Sequence, residues 1–213
     1  MQKRSQKRQG SLSSHSLKIV AVTGGVSSGK TTVCRILNQL GAKVISADEL
    51  VHKLLTPQNP VGQQVIALLG REIVEEEQLD RSKIAKKVFG NPPLLMALEK
   101  ILHPAVRAKL AEEIQKEKSC GEVPLLVVEI PLLFEGGFAS GYDAIVTVVA
   151  DEEVSQARYT ASTGYPPEEY KQRMARQMDP FEKALKADYV ITNNGSLQEL
   201  YEATAKLYNQ LTT

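Results

Sequence analysis

The chain has 213 residues, 42% of them hydrophobic and 24% charged, with a formal net charge of +1. That size suits one domain with a sizeable insertion, or two small ones, and the composition is ordinary for a globular protein that needs no disulfide staples. No apolar run approaches the ~20 residues of a membrane span, and the absence of Trp with only 5% aromatics argues against a base-stacking platform for nucleic acid.

Residues 1–17 form a basic leader with Lys3, Arg4, Lys7 and Arg8 and no acid, so the rest of the chain is net acidic. The leader has no apolar core, so it is not a secretory signal. It is expected to be a disordered tail, with contact to nucleic acid or anionic lipid as the alternative. Next comes "KIVAVTG" (18–24), a buried-strand candidate. "TTVCRILNQLG" (31–41) has helical spacing at Val33, Ile36, Leu37 and Leu40 and closes at Gly41. "KVISAD" (43–48) reads as a second strand, "VPLLVVEIP" (123–131) as a third, "DAIVTVVA" (143–150) as a fourth and "DYVITNN" (188–194) as a fifth. Strands alternating with helices predict a parallel sheet with right-handed crossovers. The rhythm breaks between the second and third strands. There the pattern is helical, with no convincing strand and an interruption expected at Pro104. The boundaries follow: a core over 18–49 and 121–213 with a lid near 155–180, and a helical insertion over 50–120. Cys34 and Cys120 lie far apart without metal-ligand spacing and read as reduced thiols of a cytosolic protein.

The turn after the first strand carries the chemistry. Gly24-Gly25-Val26-Ser27-Ser28-Gly29-Lys30-Thr31 fits G-x-x-x-x-G-K-[ST], with a strand before it and a helix after it. Glycines let successive N–H groups point inward, and the helix start adds its own unpaired N–H groups and positive dipole end. Lys30 brings a point charge to the outer phosphates, and Thr31 offers a hydroxyl to Mg²⁺. A nucleoside triphosphate is the expected guest.

A P-loop does not by itself separate a kinase from a GTPase switch or an ATPase. Asp48 ends the second strand, on the side where open α/β sheets bind ligands. It either orients a substrate hydroxyl and takes its proton, or caps the following helix. Glu129 ends the third strand as the acid of a Walker B pattern does. Glu135, in "PLLFEGG", either meets substrate or is a solvated loop acid. His103, beside Pro104, is either structural or functional, and Arg107 stands where it could meet an anionic substrate. Arg173, Arg176 and Gln177 are spaced to share one helix face. With Arg158 they form either a phosphate-facing lid around the turn "STGYPPEE" or a solvated helix pair. A guanine-specificity motif is missing, since "TNNG" does not fit N/T-K-x-D.

Taken together, these segments resemble the dephospho-coenzyme A kinase family, from about Lys18 to Leu207. The P-loop "TGGVSSGKTT", the stretch "GAKVISADEL", the insertion "LDRSKIAKKVFGNPPLLMALEKILHPAVR", the loop "VVEIPLLFE", the helix "RMARQM" and the end "ADYVITNNGS" occur in that family's order. The resemblance implies a P-loop kinase fold of about five parallel strands with helices on both faces, a helical acceptor-binding insertion and a lid. It implies ATP, with Mg²⁺, phosphorylating the ribose 3′-hydroxyl of dephospho-CoA. By position, Asp48 corresponds to the family's catalytic carboxylate, Gly25 to Thr32 to its ATP loop, and Arg158 to its lid arginine. His103, Pro131, Leu132, Leu133 and Phe134 correspond to acceptor-site residues, and Asn193 and Gly195 to part of the adenine pocket. A monomer in the cytoplasm, with no nucleic-acid or membrane partner, is the expected setting. Two positions depart from the family pattern: Ser46 stands for the first acid of "DAD", and Ser162 for a second lid arginine.

Overall fold

The computed structural model describes residues 17–121 and 123–213. The leader lies outside the described residues except for its last member, Leu17. That residue packs against a core cluster and so belongs to the fold rather than to the tail.

The sheet has five parallel strands: β1 (Lys18–Gly24), β2 (Lys43–Ser46), β5 (Leu125–Glu129), β6 (Ala144–Val149) and β7 (Tyr189–Thr192), in the order β2-β5-β1-β6-β7. Their parallel registers place β1 at the centre, between β5 and β6. Every residue of β5 is buried, as its unbroken apolar run requires of a strand covered on both faces. On one face, Val20, Val22, Leu125 and Val146 pack against Val33 and Leu37 of α1 (Lys30–Gln39) and Leu200 and Leu207 of α9 (Leu197–Thr212). On the other, Ile19, Ala21, Leu126 and Val128 pack against Leu50 of α2 (Ala47–Leu54) and Val106 and Leu110 of α5 (Pro92–Cys120).

The segment after α2 has a core of its own. Val65 and Leu69 of α3 (Pro60–Leu69), Ile84 and Val88 of α4 (Arg81–Val88), Ile73, Leu79 and Leu98 form a separate apolar cluster. Two features differ from the expected pattern. A short hairpin, β3 (Val74–Glu75) with β4 (Gln78–Leu79), turns through Glu76 and Glu77, both at positive φ. A tight hairpin turn of this kind usually announces itself by Asn-Gly or Gly, and two glutamates give no such signal. Second, α5 runs unbroken for 29 residues through Pro104. A proline there removes one intrahelical hydrogen bond. Burial of Leu98 before it and of Val106 and Leu110 after it holds the helix together.

The remaining helices are α6 (Glu152–Thr163), α7 (Pro167–Met174) and α8 (Pro180–Lys186). Because α7 stops at Met174, Arg176 and Gln177 lie beyond it, and the expected shared face of Arg173, Arg176 and Gln177 does not form. No described helix is long and apolar enough to cross a membrane.

Candidate active site

The carboxyl end of the sheet gathers the polar groups. β1 runs out at Gly24, and the chain turns back into α1 through Ser27 and Gly29, at φ 53° and 101°. Gly29 is irreplaceable in this geometry, since a Cβ there would lie 2.1 Å from the Asn193 amide nitrogen. The turn leaves Ser28 Oγ buried with no hydrogen-bond partner among the described residues. A buried hydroxyl without a partner is rare and calls for a ligand atom.

Lys30 opens α1 with its side chain folded over the loop, donating to the Gly25 carbonyl at 2.7 Å. Burial, and then the nearby charge of Lys183, lower its pKa to about 8, while Glu129, Asp48 and Cys34 pull the other way. Thr31 donates its hydroxyl to Glu129 Oε1 at 2.7 Å. A hydroxyl that donates in this way keeps its lone pairs for a cation.

Asp48 is exposed in the first turn of α2, and its charge acts on Lys30. It is not the helix cap: Ser46 holds that position and accepts from the Glu49 N–H at 3.4 Å. The serine that departs from the family pattern thus has a local structural use.

A cavity of about 430 Å³ lies over the loop, lined by Gly25, Val26 and Ser28 on one side and Tyr170, Gln177 and Phe181 on the other. A larger one, about 670 Å³, separates α4 from α7 and is lined by Arg81, Lys86, Phe89, Arg173 and Arg176. Arg176 stacks over the Phe89 ring at 4.7 Å, so the lid segment touches the helical insertion. Arg173 pairs with Glu169 at 3.5 Å, as the solvated-helix alternative expects.

Several expected contact residues are used from within. Arg158 donates to the Asn193 carbonyl at 2.8 Å, and Asn193 donates through Nδ2 to the Ser28 carbonyl at 2.8 Å. Gly195 adjoins the capping box of α9, built by Ser196 and Glu199. Ser162 donates to the Tyr159 carbonyl of its own helix. Arg107 grips the Gly136 carbonyl at 2.7 Å and covers the Phe138 ring, against which His103 stands edge-on. Its guanidinium thus braces the loop that follows β5. Leu133 is fully buried in the core, whereas Leu132 is 41% exposed.

One residue at the centre of the site gave no sequence signal. Lys183 on α8 is fully buried, with Nζ 2.9 Å from Glu135 Oε1 and 3.1 Å from the Pro131 carbonyl. The helix "PFEKALK" is only 7 residues long, too short for a periodic pattern to mark the inward face.

The dephospho-CoA kinase family model matches residues 18–199. A dephospho-CoA kinase of Protochlamydia amoebophila is 47% identical over 196 residues, covering 92% of this chain and 97% of the relative. The chain belongs to the dephospho-CoA kinase family. Among solved structures, TT1252 from Thermus thermophilus is similar at 35% identity and a TM-score of 0.77, with 92% of this chain and 98% of that one covered. A dephospho-CoA kinase from Campylobacter jejuni is similar at 28% identity and a TM-score of 0.67, with the same two coverages, 92% and 98%. The chain is a phosphotransferase that uses ATP to phosphorylate dephospho-CoA, the final step of coenzyme A biosynthesis.

Proposed function

We propose that Asp48 orients the ribose 3′-hydroxyl of dephospho-CoA and accepts its proton as the γ-phosphoryl group of ATP is transferred. The observation that carries this reading is positional: Asp48 follows the end of β2, whose last residue Ser46 lies in register with Glu129 of β5, and Glu129 accepts from Thr31 of the P-loop. Donor-phosphate ligand and general base therefore stand within range of one another, from the ends of two different strands. Phosphoryl transfer asks the protein for positioning and charge stabilisation more than for covalent chemistry.

Backbone N–H groups of Gly25 to Thr32 cradle the phosphates, with the Ser28 hydroxyl available to them. Lys30 moves its ammonium from the Gly25 carbonyl to the outer phosphates. Thr31 and Glu129 fit Mg²⁺, which would offset phosphate charge when bound. No group of three or more His, Cys, Asp or Glu able to hold a metal occurs among the described residues. That suits a cation that relies on one or two protein oxygens, substrate phosphates and water.

His103 from α5 and Pro131, Leu132 and Phe134 from the loop after β5 face the acceptor; Arg107 and Leu133 belong to the same acceptor site and also fix the shape of that loop. Arg158 acts on the nucleotide through Asn193, with Gly195 beside it at the end of β7. The core (18–49 and 121–213), the lid (155–180) and the acceptor-binding insertion (50–120) are proposed with these bounds, although the second half of α5 packs on the sheet. The setting that goes with this reading is a cytoplasmic monomer acting on two small molecules, without membrane or nucleic-acid partners.

ADP release with and without dephospho-CoA, and the position of the phosphate in the product, test the reading. Acceptor-independent release, or phosphate elsewhere than the 3′-oxygen, would refute it.

A further inference from the structure

Lys183 has no place in the roles just assigned, yet it is a fully buried cation at the meeting point of α8, the loop after β5 and the end of the lid segment. Its Nζ donates to Pro131 O and pairs with Glu135 at the two ends of the loop that follows β5, and lies 3.5 Å from Gln177 Oε1 at the end of the lid. Each partner is itself tied further. Glu135 Oε1 also accepts from the Met178 N–H at 2.8 Å, and Pro131 O accepts from Thr23 Oγ1, the residue before the P-loop, at 3.2 Å. Gln177 lines the cavity over the P-loop. Removing Lys183 leaves the lid end tied to the acceptor loop by the Glu135–Met178 hydrogen bond alone, and removing Glu135 leaves it tied only through Lys183 to Pro131.

We propose that Lys183 is a positioning residue for phosphoryl transfer, a buried clamp that holds the loop 131–137 and the lid end 177–178 in one register over the P-loop. A buried ammonium demands a full set of acceptors, and here those acceptors are supplied by the two segments that flank the acceptor and the nucleotide. The lid end and the acceptor loop are therefore held together through Lys183 Nζ and the Glu135 carboxylate.

The inference rests on phosphoryl transfer to dephospho-CoA at this site, so wild-type ADP release with that acceptor is the control that tests the site reading separately. The test compares Lys183→Met, Lys183→Arg and Glu135→Ala in steady-state kinetics for both substrates, well below their melting midpoints. Lys183→Met is expected to lower kcat/KM for dephospho-CoA roughly ten- to hundredfold, the scale set by small misplacements of reacting groups. KM for ATP should move less than about threefold, because the P-loop keeps its own backbone ligands. Lys183→Arg should recover part of the acceptor effect. A lower melting midpoint with unchanged acceptor kcat/KM would make Lys183 a structural cation only and overturn the proposal. If Lys183→Met does not fold, Glu135→Ala decides, because it opens the loop end of the same clamp; unchanged acceptor kcat/KM there overturns the proposal equally.

Discussion

Asn193 Nδ2 donates to the Ser28 carbonyl at 2.8 Å, joining the exit of the last strand to the P-loop across 165 positions of sequence. The bond explains why Gly29 has no room for a side chain. It also puts Arg158 one hydrogen bond from the loop, because that guanidinium donates to the Asn193 carbonyl. The three residues act in series, with α6 holding β7 and β7 holding the phosphate cradle.

Asn193→Ala should therefore weaken nucleotide binding without abolishing the fold. It leaves a buried Ser28 carbonyl unpaired, which costs about 1–3 kcal/mol. Since the loop conformation is what binds phosphate, KM for ATP should rise roughly tenfold while KM for dephospho-CoA stays near wild type. Isothermal titration with ATP checks it, and unaltered affinity would remove Asn193 from the loop's support.

The two leucines of "PLLFE" should behave oppositely. Leu133 is fully buried, so Leu133→Ala creates a cavity costing about 2–5 kcal/mol, or roughly 5–15 °C in melting midpoint. Leu132 is 41% exposed, so Leu132→Ala should leave melting nearly unchanged and raise KM for dephospho-CoA. Thermal melts and acceptor titrations on both variants test the assignment. A stability loss in Leu132→Ala as large as in Leu133→Ala would contradict it.

Lys30 gives the site a pH signature of defined sign. Its pKa falls from 10.5 to about 8 in the folded protein, mainly because burial disfavours the ammonium. Below pH 8 the group is charged in both folded and unfolded states, and the folded state bears the full penalty. Between about 8 and 10.5 the folded state loses the proton first, so the penalty is relieved as pH rises. Lys30→Met at pH 7 should thus melt at or above wild type, removing a penalty on the order of 3 kcal/mol, while turnover collapses. In wild type, kcat/KM for ATP, which reports the free enzyme, should fall above about pH 8. A melting midpoint several degrees below wild type in Lys30→Met would show that burial of the ammonium is not costly.

The sheet and P-loop were legible because their signals are local. β1 matches its predicted span residue for residue, and Lys30 and Thr31 follow from the motif spacing. The burial of Lys183 and Leu133 and the hold of Arg107 on the Gly136 carbonyl were not legible. Each depends on which face of a short segment turns inward, and that is decided by packing between segments far apart in sequence. The same holds for the Glu76–Glu77 hairpin, where tertiary contacts override turn chemistry. Pro104 misled for the complementary reason: its local cost is real, but burial on both sides of it outweighs that cost.

Asp48→Asn isolates the chemical step. Ser46 caps α2, so the substitution removes no cap, and Asn keeps the shape of the side chain. Helix stability should change by only a few tenths of a kcal/mol, from the loss of a negative charge in the first turn. What Asn cannot do is accept the hydroxyl proton. General-base assistance is worth ~10²–10⁴-fold, so single-turnover transfer to dephospho-CoA should fall at least about a hundredfold. Asp48 also favours the charged form of Lys30. Its neutralisation should shift the alkaline limb of kcat/KM for ATP to lower pH. At pH 7 ATP affinity should change by less than about tenfold, or ~1.4 kcal/mol. Rapid-quench transfer measured beside ATP titration calorimetry separates the two effects. Transfer within a few-fold of wild type would pass the base role to another carboxylate, with Glu129, 8% exposed at the end of β5, the next to test.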